Sequence, residues 1–285
     1  MKRIISLVTA VVLLVLTLTS CSAFTKVKVN GTGIDNEIYA YFEDLYDGNE
    51  GELKKAISRY VTINSEFHNR DLTLSSSRKA QISSMVDDLW HLYGVHYKSI
   101  GVSRQTVYKI ETSKAYEEIL LDYFYGQGGI SPVSEDTLKK YFKSNYIAIR
   151  FATGYLFNID EQGAPVKMSD SEKAVIINGF TKAASLINTG SPMEEATTED
   201  VHDALINSSY DGSFPTGFYS EVEEMEVGTA ATVILNDYAF LVERIDVFDK
   251  TNNYYEAYRT ECLRQVKGDD FEKLVSKWSQ SYTVE

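Results

Sequence analysis

The sequence predicts an α+β protein, and three observations carry that prediction. Residues 30–145 repeat apolar side chains three and four positions apart, the period of amphipathic helices. Residues 147–159 and 227–248 instead hold short apolar runs split by turn residues, which predict strands. Residues 252–280 return to the helical period, with Tyr255, Tyr258, Cys262, Phe271, Leu274 and Trp278 recurring along them. The order is helices, then β-α-α-β-β, then helix. It predicts a small α+β module set within a helical domain.

The elements follow in order. Val27 and Val29 alternate with Lys26 and Lys28, predicting a short strand that the Asn30-Gly31 pair ends. Asp35 is placed to cap a helix running through Leu45. Asp47-Gly48 and Glu50-Gly51 break it, and residues 52–68 resume the helical spacing. The strongest helical signal is 77–98, where Ile82, Met85, Val86, Leu89, Trp90 and Tyr93 form the stripe and Gly94 is expected to end or bend it. Ser103 opens a short helix, residues 113–125 form another, and Ser134 opens a third after the GQGG linker at 126–129. The strand-like IAIRFATGYLFNI follows. Ser169 and Glu172 are spaced for a capping box before a helix over 169–189. Residues 193–207 are expected to form a second, shorter helix. Asn236-Asp237 separates the last two strands.

The N-terminal MKRIISLVTAVVLLVLTLTSCSAF has a charged start and an apolar run from Ile4 to Leu18. A membrane-spanning helix needs roughly 20 apolar residues, so this run suits a cleaved secretory signal better. Its end, Leu18-Thr19-Ser20-Cys21, resembles a bacterial lipobox. That resemblance implies lipidation at Cys21, removal of the preceding residues, and a protein anchored on the outer side of the cell membrane. Cys262 is then the one cysteine left, so no internal disulfide supports the fold. The formal net charge is −13, and −15 once Lys2 and Arg3 are removed. With no compensating basic cluster, nucleic acid is excluded as a partner. Tyrosine is abundant, at 20 against 13 phenylalanines, which suits surfaces that are half apolar and half wet.

Four stretches resemble the exported parvulin-type foldases of the PrsA and SurA class. VKVNGTGIDNEIYAYF is similar to the entry of their helical chaperone domain, and VSEDTLKKYFKSNY to the helix leading into the isomerase module. MEVGTAATVILNDYAFLVERID is similar to the module's closing hairpin, and DDFEKLVSKWSQSYTVE to the final helix, which in the family packs back onto the helical domain. The resemblance implies four regions: 1–21 as signal and lipidated cysteine, 22–131 as the helical chaperone domain, 132–248 as the parvulin-like module, and 249–285 as the returning helix. It implies unfolded or partly folded exported polypeptides as partners, the membrane reached through the lipid anchor, and no cofactor. It does not reach clients or oligomeric state.

Two departures bear on chemistry. Gly154 in Gly154-Tyr155-Leu156-Phe157 stands where the family's first strand carries a histidine, and Phe240 stands where its closing strand carries the second. With Phe157 and Phe218, these are the degenerate pocket positions. The segment after Gly217-Phe218-Tyr219 is also shorter than the family's pocket helix. Catalysis of X-Pro isomerisation must lower a barrier of about 20 kcal/mol by favouring the twisted amide. Glycine brings no side chain to that task, and phenylalanine neither donates nor accepts in place of imidazole. The expectation is a folding factor with a catalytically impaired module and no assigned catalytic residue. The alternatives are an active isomerase using other groups and a lipoprotein dedicated to one envelope partner. His68, His91, His96 and His202 show no metal-ligand spacing, so no metal is expected. Tyr97, Tyr123, Phe124 and Tyr125 are the candidate client-binding residues, and Trp90 and Tyr93 belong to the helical stripe.

Overall fold

A computed structural model describes residues 27–208 and 214–284. The signal and lipidation site expected over residues 1–21, Cys21 included, lie outside the described residues. The fold is α+β. It divides into two compact units, one running to Pro132 and resuming at Leu263, the other spanning Val133–Cys262. None of the described helices is long and apolar enough to cross a membrane.

In the first unit, strands β1 (Lys28–Val29) and β2 (Thr32–Gly33) pair around Asn30-Gly31, both at positive φ as a tight hairpin turn requires. Four helices follow: α1 (Asn36–Leu45), α2 (Glu50–His68), α3 (Ser76–Ser99) and α4 (Arg104–Tyr125). Each begins where a side chain accepts a backbone N–H, from Asp35, Asn49, Ser75 and Ser103 respectively. Glu50-Gly51, expected as a break, is the first turn of α2, because Asn49 Oδ1 accepts from both Gly51 and Glu52. Gly94 neither ends nor interrupts α3. It is buried, and a Cβ there would stand 3.2 Å from the Trp90 indole, so the ring occupies the space a side chain would need. The two helices expected over 103–125 are one. Ile82 and Val86 of α3 pack on Val107 and Ala115 of α4 as a core that crosses the expected junction.

The second unit opens with α5 (Glu135–Asn145), capped by Ser134, and runs directly into β3 (Tyr146–Tyr155). A small hairpin, β4 (Phe157–Ile159) with β5 (Pro165–Lys167), precedes α6 (Asp170–Ile187), which starts with the Ser169/Glu172 capping box. Then come the single turn α7 (Met193–Ala196), β6 (Val201–Asn207), the short α8 (Phe218–Glu223), β7 (Ala230–Leu235) and β8 (Tyr238–Ile245). The four-stranded sheet is antiparallel with order β6-β3-β8-β7. β6 corrects the expectation of a helix over 193–207. Seven consecutive residues there pair with β3, from Val201 opposite Ala152 to Asn207 opposite Tyr146. A seven-residue ladder outweighs a weak local helical preference.

The helix α9 (Tyr254–Ser279) begins in the second unit, and its residues from Leu263 belong to the first. In the second unit, Tyr255 donates to Glu135 and packs edge-on against Phe142. In the first, Arg59 makes a forked pair with Glu272 at 2.7 Å.

Candidate functional site

The sheet of the second unit has two faces of different character, and strand parity explains both. Ala148, Ala152 and Gly154 of β3 point one way, with Ala239 and Leu241 of β8. These small residues let α6 sit close, through Phe180, Ala183 and Ala184. Ile147, Ile149, Phe151, Thr153 and Tyr155 point the other way. Here Phe218 and Val222 of α8 cover Ile149, Val233, Phe240 and Val242.

Part of this second face is open. A cleft of about 660 Å³ is floored by Phe151, Thr153, Tyr155, Tyr238 and Phe240, and walled by Phe214, Pro215, Thr216 and Asn236. Its aromatic rings support one another. Phe214 stacks on Phe218 with centroids 4.2 Å apart, and Phe218 meets Phe240 edge-on at 5.0 Å. Phe151 meets Phe214 at 5.0 Å, and Tyr238 lies over Phe240 at 5.9 Å. The C-terminal carbonyls of the α8 turn are held by Arg244, which donates to the Glu223 and Met225 oxygens.

The four degenerate pocket positions do not form one group. Phe240 lies in the cleft floor and Phe218 is buried beneath it. Phe157 adjoins the rim, 5.4 Å from Tyr155 and 6.1 Å from Tyr238. Tyr155 is 56% exposed at that rim. Gly154 faces away from the cleft altogether. It pairs with Ala239, and a Cβ added there would come 2.7 Å from Ile176 Cγ2 and 3.1 Å from Phe180 Cε2. The residue opposite Phe240 is Thr153. Sequence reasoning missed Thr153, though one signal was present: the alternation of small and large residues along β3 assigns Gly154 to the Ala148/Ala152 face.

The cleft lining offers hydroxyls from Thr153, Tyr155, Thr216 and Tyr238 and the amide of Asn236. Among the described residues it contains neither imidazole nor carboxylate. His202 lies on β6 opposite Phe151, its ring centroid 5.7 Å away, exposed at the flank. It sits on a strand and not on the helix expected over 193–207. His68 is the last residue of α2, and its Nδ1 sits 2.6 Å from the Asn64 carbonyl. His96 pairs with Asp44 at 2.9 Å. His91 lies exposed on α3. Among the described residues, no group of three or more His, Cys, Asp or Glu is placed to hold a metal ion. Cys262 is fully buried, and desolvation pushes its thiol up to about 11, so it stays protonated and unreactive near neutral pH.

The candidate client-binding aromatics are also separated. Tyr97 lies at the α3–α4 turn, stacked 6.0 Å from Trp90 and from Tyr41. Tyr123, Phe124 and Tyr125 end α4, about 30 Å away at 1.5 Å rise per residue. Tyr125 is buried, with Lys267 over its ring. Phe124 packs against Trp278, and the Arg70 guanidinium covers both rings at 5.2 and 4.8 Å. Of these three, Tyr123 is the exposed one.

No family model matches the sequence, and neither does any curated protein. Solved structures of PrsA- and SurA-type foldases are similar to the chain over most of its length, at low identity. The foldase PrsA from Streptococcus pneumoniae aligns with 14% identity over 84% of this chain and 88% of its own, at a TM-score of 0.44. PrsA from Lactococcus lactis aligns with 13% identity over 92% and 95%, at 0.43. A structure from the description of PEB4 and Cj1289, two SurA-like chaperones of Campylobacter jejuni, aligns with 15% identity over 91% and 97%, at 0.34.

Proposed function

We propose that the protein is an extracytoplasmic folding factor, held to the membrane by lipid on Cys21, that binds unfolded or partly folded exported polypeptides. The first unit is the chaperone domain in this reading. The second is a parvulin-like module that grips apolar chain without efficient isomerisation.

The observation that carries the reading is the pair Thr153–Phe240 in the cleft floor. An aromatic floor with scattered hydroxyls holds apolar side chains while leaving their backbone partly solvated. A dry network of adjustable donors is what favours a twisted amide over a planar one. Among the described residues, the lining offers hydroxyls and one amide to such a network but no imidazole and no carboxylate.

Two assays test this together. The purified protein is expected to suppress aggregation of a chemically denatured protein during dilution, and to leave the slow phase of proline-limited refolding unchanged. Failure to suppress aggregation would remove the folding-factor reading. An accelerated slow phase would show an active isomerase instead.

A further inference from the structure

The chain carries, in its first unit, an extended segment that is bound the way an unfolded polypeptide would be. Val284 lies opposite Val29 of β1 in an isolated antiparallel bridge, and Tyr282 and Thr283 lead to it from the turn at 280–281 that follows α9. Asn30 makes three hydrogen bonds to the segment. Its N–H donates to the Thr283 carbonyl at 3.0 Å, its Nδ2 donates to the Ser281 carbonyl at 2.8 Å, and its Oδ1 accepts from the Thr283 N–H at 2.8 Å. All three use backbone atoms of the segment, so they read no side chain. The alternate side chains, Tyr282 and Val284, lean on a small apolar cluster of Val29, Leu53 and Ile57. Beside Val284 lies an open cleft of about 560 Å³ between α2 and residues 275–279 of α9.

Backbone pairing for affinity and shallow pockets for alternate side chains are the hallmarks of strand addition. We infer that the groove beside Asn30 and β1 is a binding site for extended polypeptide with alternating apolar side chains, and that residues 281–284 are a strap that occupies it in cis and yields to such a segment. The inference rests on the folding-factor reading. It adds a second grip, in the first unit, that is regulated by the chain itself. A ligand that needs the strap displaced binds with an affinity reduced by the fraction of time the groove is open.

The test locks and loosens the strap. Facing residues in an antiparallel bridge have Cα atoms about 4.5–5.5 Å apart, within disulfide reach. The double variant V29C/V284C is therefore oxidised, the single 29–284 bridge is verified by mass, and binding is measured before and after reduction. The probes are a fluorescent peptide of sequence SQSYTVE, which copies residues 279–285, and a reduced, carboxymethylated protein that stays unfolded. The oxidised form is expected to bind both at least about tenfold more weakly than the reduced form. The variant T283P deletes the strap's own N–H to Asn30 Oδ1 while leaving every groove residue unchanged, and is expected to bind several-fold more tightly than wild type. Equal affinity of locked and unlocked forms, with wild type still binding the unfolded protein, would overturn the strap alone. Absence of binding by wild type and all variants would overturn the folding-factor reading as well.

Discussion

Thr153 and Phe240 stand directly opposite each other on β3 and β8, and both face the aromatic cleft. One residue further along, Gly154 and Ala239 also pair, but on the other face of the sheet, beneath α6. A one-residue difference along a strand reverses which side a group serves. Any attempt to build chemistry into this module must therefore start from Thr153, not Gly154.

The substitution G154A tests that parity through stability. Its Cβ would enter space held by Ile176 and Phe180, both inside the α6 packing layer. Overpacking of this kind costs typically about 1–3 kcal/mol. G154A is expected to lower the unfolding free energy from denaturant titration by that amount, whereas T153A, on the open face, is expected to change it by less than about 1 kcal/mol. Equal effects would contradict the assigned faces.

Helical glycines give a contrasting pair. Gly179 lies inside α6 with nothing within 4 Å of an added Cβ, while Gly94 faces the Trp90 ring. G179A is expected to stabilise by about 0.5–1 kcal/mol, the usual gain from restricting the unfolded chain and improving helix propensity. G94A is expected to lose that gain to the clash with Trp90 and to come out neutral or destabilising. Thermal unfolding of both variants decides it.

Glu37 ties α1 to the start of α4, accepting from the Ser103 N–H and hydroxyl and from the Thr106 hydroxyl. The hydrogen bond from the Ser103 hydroxyl, followed by that from Thr106, holds its carboxyl below the ordinary value. A carboxyl with a lowered folded pKa contributes stability above its unfolded pKa, and that contribution is lost as pH falls through the folded value. E37Q is expected to cost about 0.5–2 kcal/mol at neutral pH, as lost helix caps do. The gap between E37Q and wild type should shrink as pH falls below the ordinary carboxylate range, measured by urea unfolding at pH 7, 5 and 3. A gap constant with pH would mean that the charge plays no part.

Arg70 stacks over Phe124 and Trp278 while pairing with Glu66 at 2.5 Å. R70A removes a cation from two ring faces and exposes them. The expected cost is about 1–2 kcal/mol, with a red shift of Trp278 emission in a W90F background. If the emission is unchanged, the guanidinium does not cover the indole in solution.

Much of the helical order was legible because its determinants are local. Asp35, Ser103, Ser134 and the Ser169/Glu172 pair each lie within three residues of the N–H groups they satisfy. The turn at Asn236, whose φ is 55°, is local in the same sense. The sequence by itself determined the α+β class, the helix starts at Asp35, Ser103, Ser134 and Ser169, and an aromatic-rich strand pair lacking histidine at Phe240.

Only the tertiary structure decided what long-range pairing controls. Residues 201–207 became a strand because β3 offered them a ladder from more than fifty residues away. Thr153 took the cleft position because β8 sets its register against β3. Tyr125 became core and Phe124 was covered by Arg70 and Trp278, because α9 returns to α4 across more than a hundred residues. Capping is a contact between near neighbours in the chain. Register, face and cover are contacts between distant ones, and a single strand or helix carries no record of its future partner.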